Sequence, residues 1–223
     1  ILYRLVGSEM CIRDSLEVLE AMRRTPRHVF LDEALAHRAY DDEALPIGKN
    51  QTISQPYIVA LMTELVLGST VALGGLDTVL EVGTGCGYQT AVLAQLAKRV
   101  CTIERIGSLQ AGAEARLREL GFRNIEYRHG DGFVGWKERA PFSAIIVAAG
   151  ATDIPQMLVD QLAVNGKLVL PVGEGEQQAL RVISKTASGI VAEDVIKVKF
   201  VPLRRGVIAV SYTHLTLPTT LSV

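Results

Sequence analysis

The chain has 223 residues, of which 48% are apolar and 5% aromatic, and its formal net charge at pH 7 is −1. This length fits one α/β domain of ordinary size and leaves little room for a second. Lysine and arginine are spread along the chain without forming a basic stripe, which argues against a general nucleic-acid-binding protein. No apolar run approaches the roughly 20 residues that a membrane-spanning helix needs.

The three cysteines are Cys11, Cys86 and Cys101. They form no CxxC pair, and an odd number at these spacings predicts neither a disulfide framework nor a zinc site. We therefore expect no bound metal and a reducing, cytoplasmic setting. Residues 1–15 lack a basic head followed by a continuous apolar core, so we expect no signal peptide there.

Both ends of the chain differ from the interior. Residues 1–15 and about 210–223 show neither amphipathic periodicity nor continuity with their neighbours, and they resemble translated adapter sequence. We expect these ends to be non-native or disordered, a native arm and tail being the alternative. The remaining residues, 16–208, are predicted to form a single domain.

The first elements along the chain are helices. Apolar residues at helical spacing predict a helix over Leu16–Arg24, which Thr25-Pro26 ends. A further helical turn or two is expected over residues 31–39. The polar, turn-rich stretch of residues 41–54 leads into a helix over residues 56–67, where Pro56 suits the first turn because its missing N–H is not needed.

From residue 77 strands and helices alternate. Apolar runs predict strands at residues 78–82, 100–103, 125–128, 144–149 and 167–171. Helices are expected between them, from the end of a glycine loop through Lys98, over 107–120 and over 154–162. Strand-like runs at 179–185 and 191–201, joined by a turn at Ser188-Gly189, predict an antiparallel hairpin. The pattern indicates an α/β fold with a doubly wound, mostly parallel sheet and an antiparallel C-terminal hairpin.

A glycine-rich loop follows the first of these strands. Gly83, Gly85 and Gly87 alternate directly between a strand and a helix. Glycine lets the backbone turn sharply there and approach a ligand that a Cβ would keep away. The spacing differs from the GxGxxG of dinucleotide-binding loops, which argues against a nicotinamide dehydrogenase. Taken alone, the loop is also compatible with a tight turn that binds nothing.

Two acidic residues follow the next two strands. Glu104 comes 21 residues after Gly83, where a doubly wound fold presents an acid to the ribose of a nucleoside. A surface charge or an ion pair with Arg105 is the alternative. Asp131, after the third strand, is expected near the adenine, although Asp-Gly is also a common Asx-turn pair. Together with the loop, these residues predict one nucleoside-binding crevice.

The segment from Ala44 to Tyr57 has the most specific composition. By itself it is a polar loop leading into a helix, in which Ser54 is a good N-cap candidate. Its Pro-Ile-Gly run at Pro46–Gly48 and its Gln-Thr-Ile-Ser-Gln-Pro run at Gln51–Pro56 resemble the signature of the protein-L-isoaspartate O-methyltransferases. The likeness covers roughly residues 16–208 and continues through Val79–Tyr88, Cys101–Arg105, His129–Gly132, residues 140–149, Leu168–Gly173 and Phe200–Leu203.

This resemblance implies a Rossmann-like, S-adenosylmethionine-dependent methyltransferase of the bacterial type. Such an enzyme repairs damaged proteins by methylating the side-chain carboxylate of L-isoaspartyl residues, with S-adenosyl-L-homocysteine as the product. Two positions depart from other members. Cys86 stands where many have serine, which we interpret as a tolerated replacement rather than a reactive thiol. Tyr57 stands where animal members have histidine.

The resemblance also implies roles for individual residues. Ser54 matches the active-site hydroxyl and also contributes to substrate binding. The cofactor is expected at Thr52, Ile53, Glu81, Gly83, Thr84, Gly85, Gly87, Glu104, Asp131 and Gly132. The substrate cleft is expected to be lined in part by Val201, Pro202 and Leu203.

The chemistry needs no general base. An isoaspartyl carboxylate has a pKa near ~3.9, like that of aspartate, and is ionised at pH 7. Catalysis must then come mainly from alignment of oxygen, methyl carbon and sulfur. We expect the Ser54 hydroxyl to orient the carboxylate without acting as a covalent nucleophile, which requires the turn at Ser54 to face the glycine bend. The expected partners are isoaspartyl proteins and peptides, with no nucleic acid or membrane, and the protein is expected to be a monomer.

Two other functions compete with this one. A methyltransferase acting on a small molecule or RNA would share the cofactor half, and only residues 51–56 argue against it. A nucleotide-binding module without catalysis is the second alternative. The presence of Ser54, the glycine loop, Glu104 and Asp131 together argues against a non-catalytic module.

Overall fold

The computed structural model describes residues 15–68 and 76–209. The predictions for residues 1–14 and 210–223 lie outside this part of the chain. The described helices are α1 (Leu16–Arg24), α2 (Pro56–Leu67), α3 (Tyr88–Ala94), α4 (Gly107–Glu119) and α5 (Gln156–Asp160). Short 3₁₀ helices cover Arg27–Phe30, Glu33–Arg38 and Lys137–Arg139. None of the helices in the described ranges is long and apolar enough to cross a membrane.

The strands within the described ranges form two sheets. They are β1 (Leu45–Pro46), β2 (Thr52–Ile53), β3 (Leu76–Val82), β4 (Ala97–Glu104), β5 (Ile125–His129), β6 (Phe142–Val147), β7 (Leu162–Glu174), β8 (Gln177–Thr186) and β9 (Gly189–Val198). Strands β1 and β2 pair as a small antiparallel sheet, and the others form a seven-stranded sheet in the order β5-β4-β3-β6-β7-β8-β9.

Strand β3 is the point at which the chain reverses its direction of winding. It pairs in parallel with β4 on one side and with β6 on the other. Strands β5 and β7 extend the parallel part, whereas β8 and β9 are antiparallel additions at the edge. The predicted doubly wound sheet with its antiparallel C-terminal hairpin is confirmed. In such sheets ligands bind beyond the carboxyl ends of the strands that flank the reversal, here β3, β4 and β6.

The central strands β3, β4 and β6 are buried on both faces over most of their length. Val79, Val100 and Ile146 pack with helices on one face, and Leu80 and Ile145 pack on the other, each with 0% exposure. Successive residues of a strand point to opposite faces, so a strand covered on both sides appears in the sequence as a continuous apolar run. This rigid centre fixes the carboxyl ends of the strands.

Two predicted helices are shorter in the structure. The helix expected to run through Lys98 ends at Ala94, because Ala97 already pairs with Leu76 as the first residue of β4. The helix expected over residues 154–162 covers only Gln156–Asp160, because Leu162 pairs with Phe142 as the start of β7. In both places strand pairing overrides local helix propensity. Helices α1 and α2 have the predicted bounds.

Candidate active site

A cleft of about 790 Å³, its open mouth included, lies beyond the carboxyl ends of β3, β4 and β6. One wall is the glycine loop after β3. Residues 51–54 and residues 201–204, from the segment after β9, also line the cleft. In a doubly wound sheet this is the place at which a nucleoside is expected to bind.

The glycine bend is shaped by its own backbone. Gly83, Gly85 and Gly87 have φ angles of 97°, 54° and 92°, a left-handed conformation that favours glycine. The Gly83 N–H donates to the Ile103 carbonyl at 2.8 Å. A Cβ on Gly87 would lie 2.9 Å from a methyl group of Leu117, so this glycine lets the bend pack on α4. Gly83 and Gly85 line the cleft, whereas Gly87 does not.

Glu104 lies against the bend, at the end of β4. It is 5% exposed, and its carboxylate accepts the N–H groups of Gly85 and Ile106, each at 2.9 Å. The alternatives of a surface charge and an ion pair with Arg105 are wrong, since the Arg105 Nε donates instead to the Gly206 carbonyl. Each carboxylate oxygen of Glu104 keeps further acceptor capacity, and the residue lines the cleft.

Glu81 is linked to the glycine bend by hydrogen bonds through Thr102 and Thr84, and it does not line the cleft. It is completely buried, and one of its carboxylate oxygens accepts the hydroxyls of Thr90 at 2.5 Å and Thr102 at 2.6 Å. Burial raises the pKa of Glu81 to about 7, although the two hydroxyls oppose this rise. The Thr102 hydroxyl lies 2.6 Å from that of Thr84, which does line the cleft. Two hydrogen-bonded threonines, Thr102 and Thr84, thus lie between Glu81 and the cavity.

Asp131 also lies outside the cleft wall. Its carboxylate accepts the Phe133 N–H at 2.9 Å, which is the Asx-turn geometry, and the Gly206 N–H at 2.8 Å. These bonds join the loop after β5 to the C-terminal segment at the cleft edge. The neighbouring Gly132 lines the cleft.

The segment before α2 is held by a small hairpin. Leu45 pairs with Ile53, and the turn between them contains Gly48 at φ 83°. A Cβ on Gly85 would lie 3.3 Å from the Ile47 side chain, so this hairpin contacts the glycine bend directly. Ser54, Gly83 and Gly85 line the same cleft, as the predicted juxtaposition requires.

Ser54 does not cap α2. The N-cap is Gln55, and the Asp42 carboxylate accepts the Tyr57 N–H at 3.0 Å and the Gln55 side-chain amide at 2.9 Å. A carboxylate at a helix N-terminus satisfies a free backbone N–H and offsets the helix dipole. The capping interpretation of Ser54 is therefore wrong. Among the described residues its hydroxyl has no hydrogen-bond partner.

Most of the predicted site residues meet at this cleft. Those that line it are Thr52, Ile53, Ser54, Gly83, Thr84, Gly85, Glu104, Gly132, Val201, Pro202 and Leu203. Glu81, Gly87 and Asp131 do not line it. The lining residues that the sequence analysis did not assign to the site are Gln51, Val59, Val82, Cys86, Tyr88, Gln89, Ile103, Arg105, Ala148, Ala149 and Arg204. Several of these residues are immediate neighbours of assigned motifs and could have been assigned with them. Ala148 and Ala149 could have been assigned to the site because they end the strand predicted over residues 144–149.

Cys86 lies in the glycine bend with its side chain buried. Burial raises the pKa of its thiol to about 11, so the thiol is protonated at neutral pH. This agrees with a packing role rather than a reactive one.

Comparisons with known proteins agree with this geometry. The model of the family "Protein-L-isoaspartate(D-aspartate) O-methyltransferase" matches residues 7–207. A protein-L-isoaspartate O-methyltransferase from Pseudomonas aeruginosa is 59% identical over 192 residues, which cover 86% of this chain and 89% of that protein. One from Pseudomonas fluorescens is 59% identical over 193 residues, covering 86% and 90%.

Solved structures show the same similarity. A Plasmodium falciparum chain, described as a protein-L-isoaspartate O-methyltransferase in complex with S-adenosyl-L-homocysteine, matches with a TM-score of 0.72 and 28% identity over 86% of this chain and 92% of that one. A second protein-L-isoaspartate O-methyltransferase structure has a TM-score of 0.75 and 26% identity, covering 83% of this chain and 60% of that one. This chain belongs to the protein-L-isoaspartate(D-aspartate) O-methyltransferase family.

Proposed function

We propose that this protein transfers a methyl group from S-adenosylmethionine to the side-chain carboxylate of L-isoaspartyl residues in damaged proteins and peptides. The observation that carries this proposal is the position of Ser54, whose free hydroxyl lines the same cleft as the glycine bend. Membership of the family and the likeness to a chain in complex with S-adenosyl-L-homocysteine support it.

The residues of the cleft fit this cofactor. Gly83 and Gly85 line the cleft with positive φ angles, which a residue with a side chain would adopt only under strain. The Glu104 carboxylate is fixed by two backbone N–H groups and suits a pair of ribose hydroxyls. Gly132 and Ile103 offer an apolar edge next to it. When bound, S-adenosylmethionine supplies a methyl group on a positively charged sulfur.

Ser54 is proposed to orient the acceptor. An ionised carboxylate is already nucleophilic, so no residue of the cleft has to remove a proton. The Ser54 hydroxyl can donate a hydrogen bond to one carboxylate oxygen and leave the other directed at the methyl group. Such positioning contributes on the order of 7–11 kcal/mol in well-aligned reactions.

Residues Val201, Pro202 and Leu203 are proposed to hold the peptide. This segment is anchored to the loop after β6, because the Gly150 N–H donates to the Val201 carbonyl at 2.8 Å and the Leu203 N–H donates to the Gly150 carbonyl at 2.7 Å. A fixed, extended segment that lines the cleft is suited to lie beside an extended peptide. Asp131 is proposed to act indirectly, by fixing the same region through Gly206.

The partners and the cellular compartment are proposed from composition. The net charge of −1 and the scattered basic residues favour protein substrates over nucleic acid. Two buried free thiols, Cys86 and Cys101, fit a reducing cytoplasm. We expect a monomer that binds no membrane, which sedimentation at micromolar concentration and vesicle flotation would check.

The decisive experiment compares a peptide containing one L-isoaspartyl residue with its L-aspartyl twin, using S-adenosylmethionine labelled in the methyl group. We expect methyl transfer to the isoaspartyl peptide only, and a large loss of kcat in Ser54→Ala. Ser188→Ala in the exposed β8–β9 turn is the matched control and should keep the full rate. Equal transfer to both peptides, or transfer to neither, would remove the assignment.

A further inference from the structure

Arg27, outside the cleft, is almost completely buried. It is 1% exposed, although arginine is rarely buried without a specific reason. Its guanidinium donates three hydrogen bonds to backbone carbonyls, from Nε to Ala39 at 2.8 Å, from Nη1 to Ser54 at 2.6 Å and from Nη2 to Glu43 at 3.1 Å. Its charge is therefore met by peptide dipoles. The burial of a charge in this place calls for an explanation.

The three carbonyls belong to the chain that leads to the acceptor side of the cleft. Ser54 lies between β2 and α2, outside regular secondary structure, and thus receives no ladder hydrogen bond to fix its carbonyl. The Arg27 guanidinium supplies that bond. Because the carbonyl and the hydroxyl belong to one residue, fixing the first restricts where the second can point. Lysine could not replace this contact fully, since only the planar guanidinium offers several donors in fixed directions.

Arg27 also belongs to a layer of aromatic rings and guanidinium groups that borders the cleft at Tyr88. Its guanidinium lies 5.2 Å from the ring centre of Tyr88, and that ring meets Phe30 edge to face at 5.5 Å. Arg116 lies 5.8 Å from the Phe30 ring and donates to the Cys86 carbonyl at 2.9 Å. The two ends of the layer thus hold one carbonyl on the acceptor side and one in the glycine bend. Cation–π contacts and edge-to-face rings give such a layer a defined spacing.

We infer that Arg27 is a positioning residue for methyl transfer, which sets the Ser54 hydroxyl at a fixed place relative to the glycine bend. The inference rests on the proposed function, because it concerns the proposed role of Ser54. It predicts that loss of the Arg27 contacts lowers the rate at which bound substrates react, while the cofactor side of the cleft keeps its affinity. A residue that only stabilised the domain would instead lower the melting temperature and the fraction of active protein, without changing kcat for each folded molecule.

The test uses Arg27→Lys and Arg27→Gln in the full chain. Gln95→Met is the control, because the Gln95 amide likewise donates to three acceptors, the carbonyls of Ala21 in α1 and Ala91 in α3 and the hydroxyl of Thr25, but does not line the cleft. S-adenosyl-L-homocysteine titrated by calorimetry gives the cofactor-side affinity and the number of folded sites. Methyl transfer to an isoaspartyl peptide at saturating substrates, divided by that number, gives kcat.

We expect Arg27→Gln to lower kcat by about 10²-fold, the effect of a misplacement of about 1 Å, and Arg27→Lys to lower it less. The affinity for S-adenosyl-L-homocysteine should stay that of the wild type in both. Gln95→Met should lose thermal stability and keep kcat. Wild-type kcat in both Arg27 variants would overturn the inference, and so would loss of S-adenosyl-L-homocysteine binding along with activity. Failure of the wild type to methylate the isoaspartyl peptide would instead refute the proposed function.

Discussion

The buried carboxyl group of Glu81 makes the stability of this protein depend on pH. Its pKa is raised from 4.5 to about 7, mainly because burial disfavours the charged form, and one of its oxygens meets no hydrogen-bond donor among the described residues. In the unfolded chain the group ionises near its ordinary value. The stabilisation that Glu81 contributes is thus fully present below pH 4.5 and is lost as the pH rises through about 7.

The size of the effect follows from that interval. The difference between 4.5 and about 7 corresponds to about 3 kcal/mol of unfolding free energy. Glu81→Gln removes the ionisation and keeps the shape of the side chain. We expect the wild type to lose about 3 kcal/mol relative to this variant between pH 4.5 and pH 8.

Urea denaturation at several pH values measures this difference. Glu174→Gln, on an exposed residue of β7, is the control and should follow the wild-type profile. If the wild type and Glu81→Gln gave parallel profiles across this range, Glu81 would not be a buried group of raised pKa and the reasoning would be wrong.

Further substitutions and modifications test single contacts. Ser54→Ala should lower kcat by about 10²-fold, as the loss of one preorganised donor does. The affinity for S-adenosyl-L-homocysteine, measured by calorimetry, should not change. Equal losses of kcat and of this affinity would contradict the proposed role of Ser54. Asp42→Ala, which removes the acceptor of the Tyr57 N–H, should cost about 1 kcal/mol in urea denaturation, and Asp42→Asn should cost less. Iodoacetamide at pH 7.5 should leave Cys86 and Cys101 unlabelled until urea is added, because burial raises both pKa values to about 11; labelling of the native protein, mapped by mass spectrometry, would refute this.

The architecture of the domain was predictable because its centre is periodic. The continuous apolar run Ala144–Val147 is typical of a strand covered on both faces, and its residues are buried. The helix ends at Ala94 and Asp160 were not predictable, since the following residues keep a helical composition and are drawn into strands by pairing with Leu76 and Phe142.

The site was predictable where the residues of a motif line the cleft themselves. Ser54, Gly83 and Glu104 line the cleft as the sequence indicated. Glu81 belongs to the same motif, but the alternation of β3 directs its side chain into the core beneath the bend. Arg27 carries no local signal, because its three acceptors are separated from it by 12, 16 and 27 positions. Such contacts become visible only in three dimensions.

A structure of the complex with S-adenosyl-L-homocysteine and an isoaspartyl peptide would test the account most directly. The quantity to measure is the distance from the Ser54 Oγ to the nearest oxygen of the isoaspartyl carboxylate. We predict a hydrogen bond of about 2.5–3.0 Å, with the other oxygen facing the sulfur across the glycine bend. A carboxylate bound out of reach of Ser54, or on the far side of the sheet, would contradict it.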